Sequence, residues 1–130
     1  INTNKNYLAL GDSYTIGQSV SEKDRFPAIL ADELNAKDFS FNAPKIIAQT
    51  GWTTGELKDA ILKANITKNY DLVTLLIGVN NQYRSQDLEI FRIELKELLN
   101  ISIKYLIKTI IFTKFWKVEQ LNSEKICQDD

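Results

Sequence analysis

The residues from 70 to 77, Tyr-Asp-Leu-Val-Thr-Leu-Leu-Ile, constrain the fold more than any other part of the sequence. They form an almost continuous apolar run, which is typical of a strand buried on both faces in a parallel sheet. Two shorter apolar stretches, residues 7–10 and 44–49, also lie just ahead of a glycine. We therefore predict three strands, the first and third of them buried, each of which ends ahead of a turn.

Three segments with helical periodicity alternate with these strands. The first covers residues 24–36, with Pro27 in its first turn, where a helix tolerates proline. The second follows Thr53 and Glu56, which have the spacing of a capping box, and the third covers residues 85–104. The apolar residues expected on the inner faces of these helices are Phe26, Ile29, Leu30 and Leu34, then Leu57, Ala60, Ile61 and Ala64, then Leu88, Phe91, Leu95, Leu98 and Leu99.

This alternation predicts one doubly wound α/β domain with a parallel sheet and right-handed crossovers. A length of 130 residues suits a single domain with a core of its own. Residues 106–113 are expected to add a fourth strand, and residues 119–130 are polar without a clear period. Because ligands bind at the carboxyl ends of parallel strands, the site should form where three turns meet. Those turns are Gly11-Asp12-Ser13, Thr50-Gly51-Trp52 and Gly78-Val79-Asn80-Asn81.

The composition argues against several classes of function. The 16 Lys and Arg residues against 17 Asp and Glu give a formal net charge of −1, so no overall charge attracts nucleic acid. We interpret the lysines between residues 104 and 117 as a solvated face. No apolar run reaches the roughly 18 residues of a transmembrane segment. The single cysteine, Cys127, allows neither an internal disulfide nor a cysteine-built zinc site. We expect no metal and no organic cofactor, and the compartment is not fixed by these residues.

Ser13 is the candidate nucleophile, because a serine on a glycine-started turn after a strand can be presented at the edge of the sheet. The candidate donors to an oxyanion are the N–H groups of Ser13 and Gly51 and the side-chain amide of Asn80. Gly51 has no Cβ, so its backbone can approach a ligand closely. Each of these residues taken alone is more often a turn or cap residue. Their occurrence at three successive strand ends favours a site for acyl transfer.

Three blocks of the sequence together resemble the SGNH hydrolases, also called GDSL esterases and lipases. The blocks are Ala9-Leu10-Gly11-Asp12-Ser13-Tyr14-Thr15-Ile16-Gly17, the glycine in Gln49-Thr50-Gly51-Trp52-Thr53-Thr54, and Leu76-Ile77-Gly78-Val79-Asn80-Asn81. The resemblance covers about residues 6–104 and implies a flavodoxin-like three-layer α/β/α fold. It implies hydrolysis of small acyl esters, lysophospholipids or acetylated sugars, with no cofactor.

The resemblance also assigns roles to single residues. It implies that Ser13 is the nucleophile, and that the Ser13 N–H, Gly51 and Asn80 form the oxyanion hole. Asn81 stands where the family usually has Asp, a mild change because the oxyanion donor is the preceding Asn80. The residues expected around the substrate mouth are Asp12, Trp52, Asn81, Tyr83 and Arg84.

The sequence departs from this family in its last part. The family's fourth block is an Asp-x-x-His pair whose His is the general base, whereas this chain has no His, and Asp129 and Asp130 do not supply one. A serine without its base is a poor nucleophile, so we expect negligible esterase activity from these 130 residues.

The character of the sequence changes near Ile103, after which Ile, Lys and Phe accumulate. This change predicts a frameshift or early stop, with residues 1–104 as the family-like part and 105–130 as an atypical remainder. The alternative is that residues 103–113 are a genuine strand and that a short divergent helix follows.

Two other functions remain open. The chain could be a non-catalytic remnant that binds an ester or carbohydrate, or that pairs with a partner or another copy through an exposed sheet edge. It could instead be a flavodoxin-like domain that binds phosphate or flavin, with residues 13–17 at a helix N-terminus. Asp12 would repel phosphate, however, and neither a P-loop nor a G-x-G-x-x-G pattern is present.

Overall fold

The computed structural model describes residues 4–114, with side chains described for residues 4–106. Within that part, one sheet contains four parallel strands in the order β2-β1-β3-β4. The strands are β1 (Tyr7–Gly11), β2 (Lys45–Ala48), β3 (Tyr70–Ile77) and β4 (Leu106–Lys114). The predicted doubly wound α/β class is confirmed, and β4 covers the segment in which the sequence placed a fourth strand.

Five helices and one 3₁₀ turn connect these strands within the described residues. The helices are α1 (Ser13–Ile16), α2 (Phe26–Ala36), α3 (Thr54–Ala64), α4 (Val79–Tyr83) and α5 (Leu88–Tyr105), and the 3₁₀ turn is Glu22–Asp24. The short helices α1 and α4 directly follow β1 and β3, at positions for which the sequence predicted only turns. No helix in the described part of the chain is long and apolar enough to cross a membrane.

The central strands β1 and β3 are largely apolar at successive positions because helices cover both faces of the sheet there. On one face, Leu8 and Leu10 of β1 pack with helices α3 and α5. On the other face, Tyr7 and Ala9 pack with α2 through Ala31. Alternate side chains of a strand point to opposite faces, so one strand contributes to two core layers. Each fully buried apolar side chain contributes about 1.5–3 kcal/mol to stability.

One buried polar pair joins the two central strands. The hydroxyl of Tyr7 on β1 and that of Thr74 on β3 form a hydrogen bond of 2.8 Å. Burial raises the pKa of Tyr7 to about 12, which the bond to Thr74 partly offsets. The pair therefore keeps two buried hydroxyls satisfied and fixes β1 against β3, the strands that carry two of the candidate turns.

Three residues expected on the inner helix faces are exposed instead. Ile29 lies on the outer side of α2, where Pro27 and Ala31 form the buried stripe. Ala64 is the last residue of α3, beyond the part of that helix that packs on the sheet. Leu88 is 39% exposed because it is the first residue of α5, whose cap is Asp87, so the helix begins later than predicted.

The last described elements follow each other without a loop. Helix α5 ends at Tyr105, and β4 begins at Leu106 and pairs in parallel with β3. The sheet therefore continues through the region in which the sequence changes character, as the strand alternative for this segment expected. The frameshift hypothesis itself stays a prediction, as does the division at residue 104. The polar residues 119–130, with Asp129 and Asp130, lie outside the described residues, and so does Cys127.

Candidate active site

The topology of the sheet places the three candidate turns side by side. Gly11, at the end of β1, is in register with Ala48 of β2 on one side and with Leu76 of β3 on the other. The chain leaves β1 toward α2 on one face and leaves β3 toward α5 on the opposite face. A crevice opens between strands whose connections diverge in this way, and such crevices bind ligands in α/β sheets.

Ser13 is held at the start of α1 by the residues on both sides of it. A Cβ on Gly11 would overlap the Thr15 hydroxyl and lie 2.7 Å from the carbonyl oxygen of Leu76, so this position accepts only glycine. Asp12 caps α1, because its Oδ1 accepts a hydrogen bond of 3.0 Å from the Tyr14 N–H. Gly17 ends the helix at a positive φ of 71°. The sharp turn leaves Ser13 partly exposed at the edge of the sheet.

Two backbone N–H groups at this edge have no acceptor. Among the described residues, neither the Ser13 N–H nor the Gly51 N–H is hydrogen-bonded, and the Ser13 hydroxyl has no partner either. Gly51 has a φ of 87°, in the region that favours glycine. Unpaired N–H groups of this kind are the donors from which an oxyanion hole is built.

Asn80 is oriented by the turn that carries Gly51. Its side-chain Nδ2 donates a hydrogen bond of 3.0 Å to the carbonyl oxygen of Trp52. An amide nitrogen carries two hydrogens, so one N–H of Asn80 remains for a ligand. Gly78, at a φ of 127°, allows the chain to turn directly from β3 into α4, where Asn80 lies.

Arg84, expected at the substrate mouth, is hydrogen-bonded to the turn at Gly51. Its Nη2 donates to the Gly51 carbonyl at 2.6 Å, and its Nη1 donates to Glu56 Oε1 at 2.8 Å. Its backbone N–H donates to the carbonyl of Asn80 at 2.9 Å. Because Arg84 and Glu56 are both well exposed, their ion pair adds little stability. The contacts with Gly51 and Asn80 fix the two turns relative to each other.

The other residues expected at the mouth divide into buried and accessible ones. Asp12 and Asn81 are completely buried, so they do not border a mouth: Asp12 caps a helix, and Asn81 accepts a hydrogen bond from the Thr54 N–H at 3.0 Å. Trp52 is half-buried and packs against the core. Tyr83 is 79% exposed and remains available to a substrate.

The pKa of Asp12 is raised, chiefly because its carboxyl group is buried, and its Oδ2 has no hydrogen-bond partner among the described residues. An ionised carboxylate with a raised folded-state pKa lowers stability at neutral pH. This cost falls as the pH drops through the raised folded-state pKa and is gone below about 4, the unfolded pKa.

We expect Asp12→Asn, which keeps the capping oxygen without the charge, to raise the melting temperature by a few degrees at pH 7, with a gain that shrinks toward acid pH. Thermal unfolding between pH 4 and 8 measures this, with the exposed Asp59→Asn as control. An equal loss of stability at every pH would contradict it.

A family model for the GDSL-like lipase and acylhydrolase family matches residues 9–123. Together with the sheet order and the three turns, this match defines an SGNH-type hydrolase fold. The chain belongs to the GDSL-like lipase/acylhydrolase family. A search of curated proteins finds no match.

Solved structures of esterases have the same fold. The SGNH-hydrolase family esterase AlinE4 superposes with a TM-score of 0.71 at 22% identity, covering 86% of this chain and 59% of its own. A variant of Axe2, an acetyl xylan esterase from Geobacillus stearothermophilus, has a TM-score of 0.69 at 20% identity, covering 98% and 69%. The psychrotrophic esterase EstA from Pseudoalteromonas sp. has a TM-score of 0.72 at 16% identity, covering 97% and 73%. The chain therefore spans 59% of the length of AlinE4.

Proposed function

We propose that this chain supplies the nucleophile and the oxyanion hole of a serine ester hydrolase that acts on small acyl esters. The observation that carries the proposal is the pair of backbone N–H groups at the edge of the sheet, from Ser13 and Gly51, for which the described part of the chain supplies no acceptor. The amide of Asn80, held by the Trp52 carbonyl, adds a third donor. Membership of an acylhydrolase family supports the same reaction class.

In the proposed reaction, Ser13 Oγ attacks the carbonyl carbon of the ester while a base removes the hydroxyl proton. The carbonyl oxygen becomes an oxyanion, which accepts hydrogen bonds from Ser13, Gly51 and Asn80. Collapse of this intermediate breaks the bond to the alcohol, which leaves with the proton, and water then hydrolyses the acyl-serine by the same steps in reverse. Each oxyanion donor contributes about 10²–10³ in rate.

The 130 residues contain no His, so they lack the usual base for a serine nucleophile. Imidazole in solution is the same chemical group and can accept the proton in its place. We expect the chain alone to hydrolyse 4-nitrophenyl acetate negligibly. With imidazole added, we expect a rate about tenfold or more above that of Ser13→Ala, because general-base catalysis contributes about 10²–10⁴ when the base is positioned.

The measurement is the release of nitrophenolate over a range of imidazole concentrations, for the chain and for Ser13→Ala at equal concentration. The variant corrects for the reaction of imidazole itself with the ester. Equal rates at every imidazole concentration would contradict the proposal. They would favour the second candidate, a chain that binds an ester or carbohydrate without reacting, which the absence of His supports.

A further inference from the structure

A closed ring of hydrogen bonds adjoins the candidate oxyanion hole and includes a carboxylate from a distant helix. Asn81 Nδ2 donates to Thr54 Oγ1 at 2.8 Å and also to Gln86 Oε1. Thr54 Oγ1 donates to Glu94 Oε1 at 2.8 Å, and Gln86 Nε2 donates to the same oxygen at 3.2 Å. Asn81 and Thr54 are completely buried, so these bonds are not replaced by water.

The direction of each bond in the ring follows from the single charge on Glu94. A carboxylate only accepts, so the one hydrogen of the Thr54 hydroxyl is committed to Glu94. Thr54 Oγ1 must then accept from residue 81, and an amide can donate there whereas a carboxylate cannot. With Asp at 81, two carboxylates would compete for the one hydroxyl hydrogen at a buried site, which costs stability.

The ring also determines where two of the proposed oxyanion donors lie. Thr54 begins α3 and follows Trp52 by two residues, and the Trp52 carbonyl holds the amide of Asn80. Asn80 in turn directly precedes Asn81. A change that separates residue 81 from Thr54 therefore also separates Asn80 from Trp52 and from the neighbouring Gly51.

We propose that Glu94 is a positioning residue for the oxyanion hole, and that its carboxylate is the reason why position 81 carries an amide here. The proposal deepens the proposed function and rests on it for its catalytic part. Glu94 does not touch the substrate: it acts through Thr54 and Asn81. The Glu94 carboxylate lies against Gly55 at the start of α3, so closely that a Cβ on Gly55 would be 2.5 Å from Glu94 Oε2.

The test moves the negative charge from position 94 to position 81 of the ring. Asn81→Asp alone places two carboxylates in the ring. Glu94→Gln alone removes the charge, while its Oε1 can still accept from Thr54, so it should lower the melting temperature and the Ser13-dependent kcat, but less than Asn81→Asp does. In the double variant every bond can reverse: the amide of residue 94 donates to Thr54 and Gln86, which donate to residue 81. Glu97→Gln, on the same helix but paired with Lys58, is the matched control.

Two measurements need no catalysis. We expect Asn81→Asp to lower the melting temperature by about 5 °C or more, and the double variant to recover most of this loss. We also expect the NMR signals of the Asn80 side-chain amide and the Gly51 N–H to shift in Asn81→Asp and to return in the double variant. If Asn81→Asp does not fold, recovery of folding on adding Glu94→Gln is the expected rescue.

The imidazole-supported reaction tests the catalytic part. We expect Asn81→Asp to lower the Ser13-dependent kcat about tenfold with little change in KM, and the double variant to restore it. A parent chain without Ser13-dependent activity would refute the proposed function, while the two other measurements still decide on the ring. A double variant no better than Asn81→Asp, or an Asn81→Asp variant that behaves like Glu97→Gln, would overturn the inference.

Discussion

Phe91→Ala is expected to lower the free energy of unfolding by about 3–5 kcal/mol, because it removes a fully buried aromatic ring and leaves a cavity. Phe91 belongs to the core layer in which α5 packs against α3 and the sheet. That layer fixes α5, and α5 carries Glu94. A domain of this size has a total stability of only about 5–15 kcal/mol, so the variant would lose much of it.

Denaturant unfolding, followed by circular dichroism, measures the effect of this change. Ile93→Ala is the control, because Ile93 lies two residues further along the same helix and is 57% exposed. It should change the stability by less than about 0.5 kcal/mol. Similar losses for the two variants would mean that α5 does not pack on the sheet as described. If Phe91→Ala does not fold, Phe91→Leu should show a smaller loss in the same direction.

Gly11→Ala is expected to destabilise the protein by about 3 kcal/mol, the upper part of the usual range for overpacking. The added methyl group would overlap the Thr15 hydroxyl and approach the Leu76 carbonyl to 2.7 Å. The hydroxyl belongs to a side chain that can be truncated. The carbonyl belongs to β3 and can move only if the sheet shifts.

This difference gives the Gly11 experiment its control. Thr15→Ala in the Gly11→Ala background should restore only part of the lost stability, because it removes the hydroxyl but leaves two contacts of 2.7 Å, one with the Cβ of residue 15 and one with the Leu76 carbonyl of β3. Thermal unfolding of the two single variants and the double variant measures the coupling. Complete recovery in the double variant would show that Leu76 does not restrict this position. A Gly11→Ala variant as stable as the parent would contradict the close approach of β1 to β3.

The parts of the fold that sequence patterns predicted are those fixed by neighbours in the chain. The buried run at 70–77 and the capping box of Thr53 and Glu56 were both found, because each depends on residues a few positions apart. The exposure of Leu88 was missed, since periodicity identifies a face of a helix but not where its packing begins. The short helices α1 and α4 were read as turns for a similar reason: they are too short to show a period.

The sequence analysis named candidate site residues but could not indicate the contacts between them. The sequence could indicate that Asn81 and Arg84 follow a strand end, and both were expected at the mouth. Apart from the bond between Asn81 and the nearby Gln86, their side-chain partners, Thr54 for one and Gly51 and Glu56 for the other, lie 27 to 33 residues away. No local pattern marks such pairs. Glu94 was missed altogether, because a charged residue on an amphipathic helix is normally taken to face water.

The position of β1 between β2 and β3 has a consequence for the order in which the protein folds during synthesis. Of the four described strands β1 is made first, and both of its neighbours in the sheet come later, each after a crossover helix. Long-range parallel pairing of this kind is slow to form. Until β3 has left the ribosome, the apolar β1 strand has at most one partner and exposes an edge on which nascent chains aggregate. The residue that carries the proposed chemistry is thus synthesised before either strand that flanks β1, and its surroundings are assembled only after Asn80 has been added.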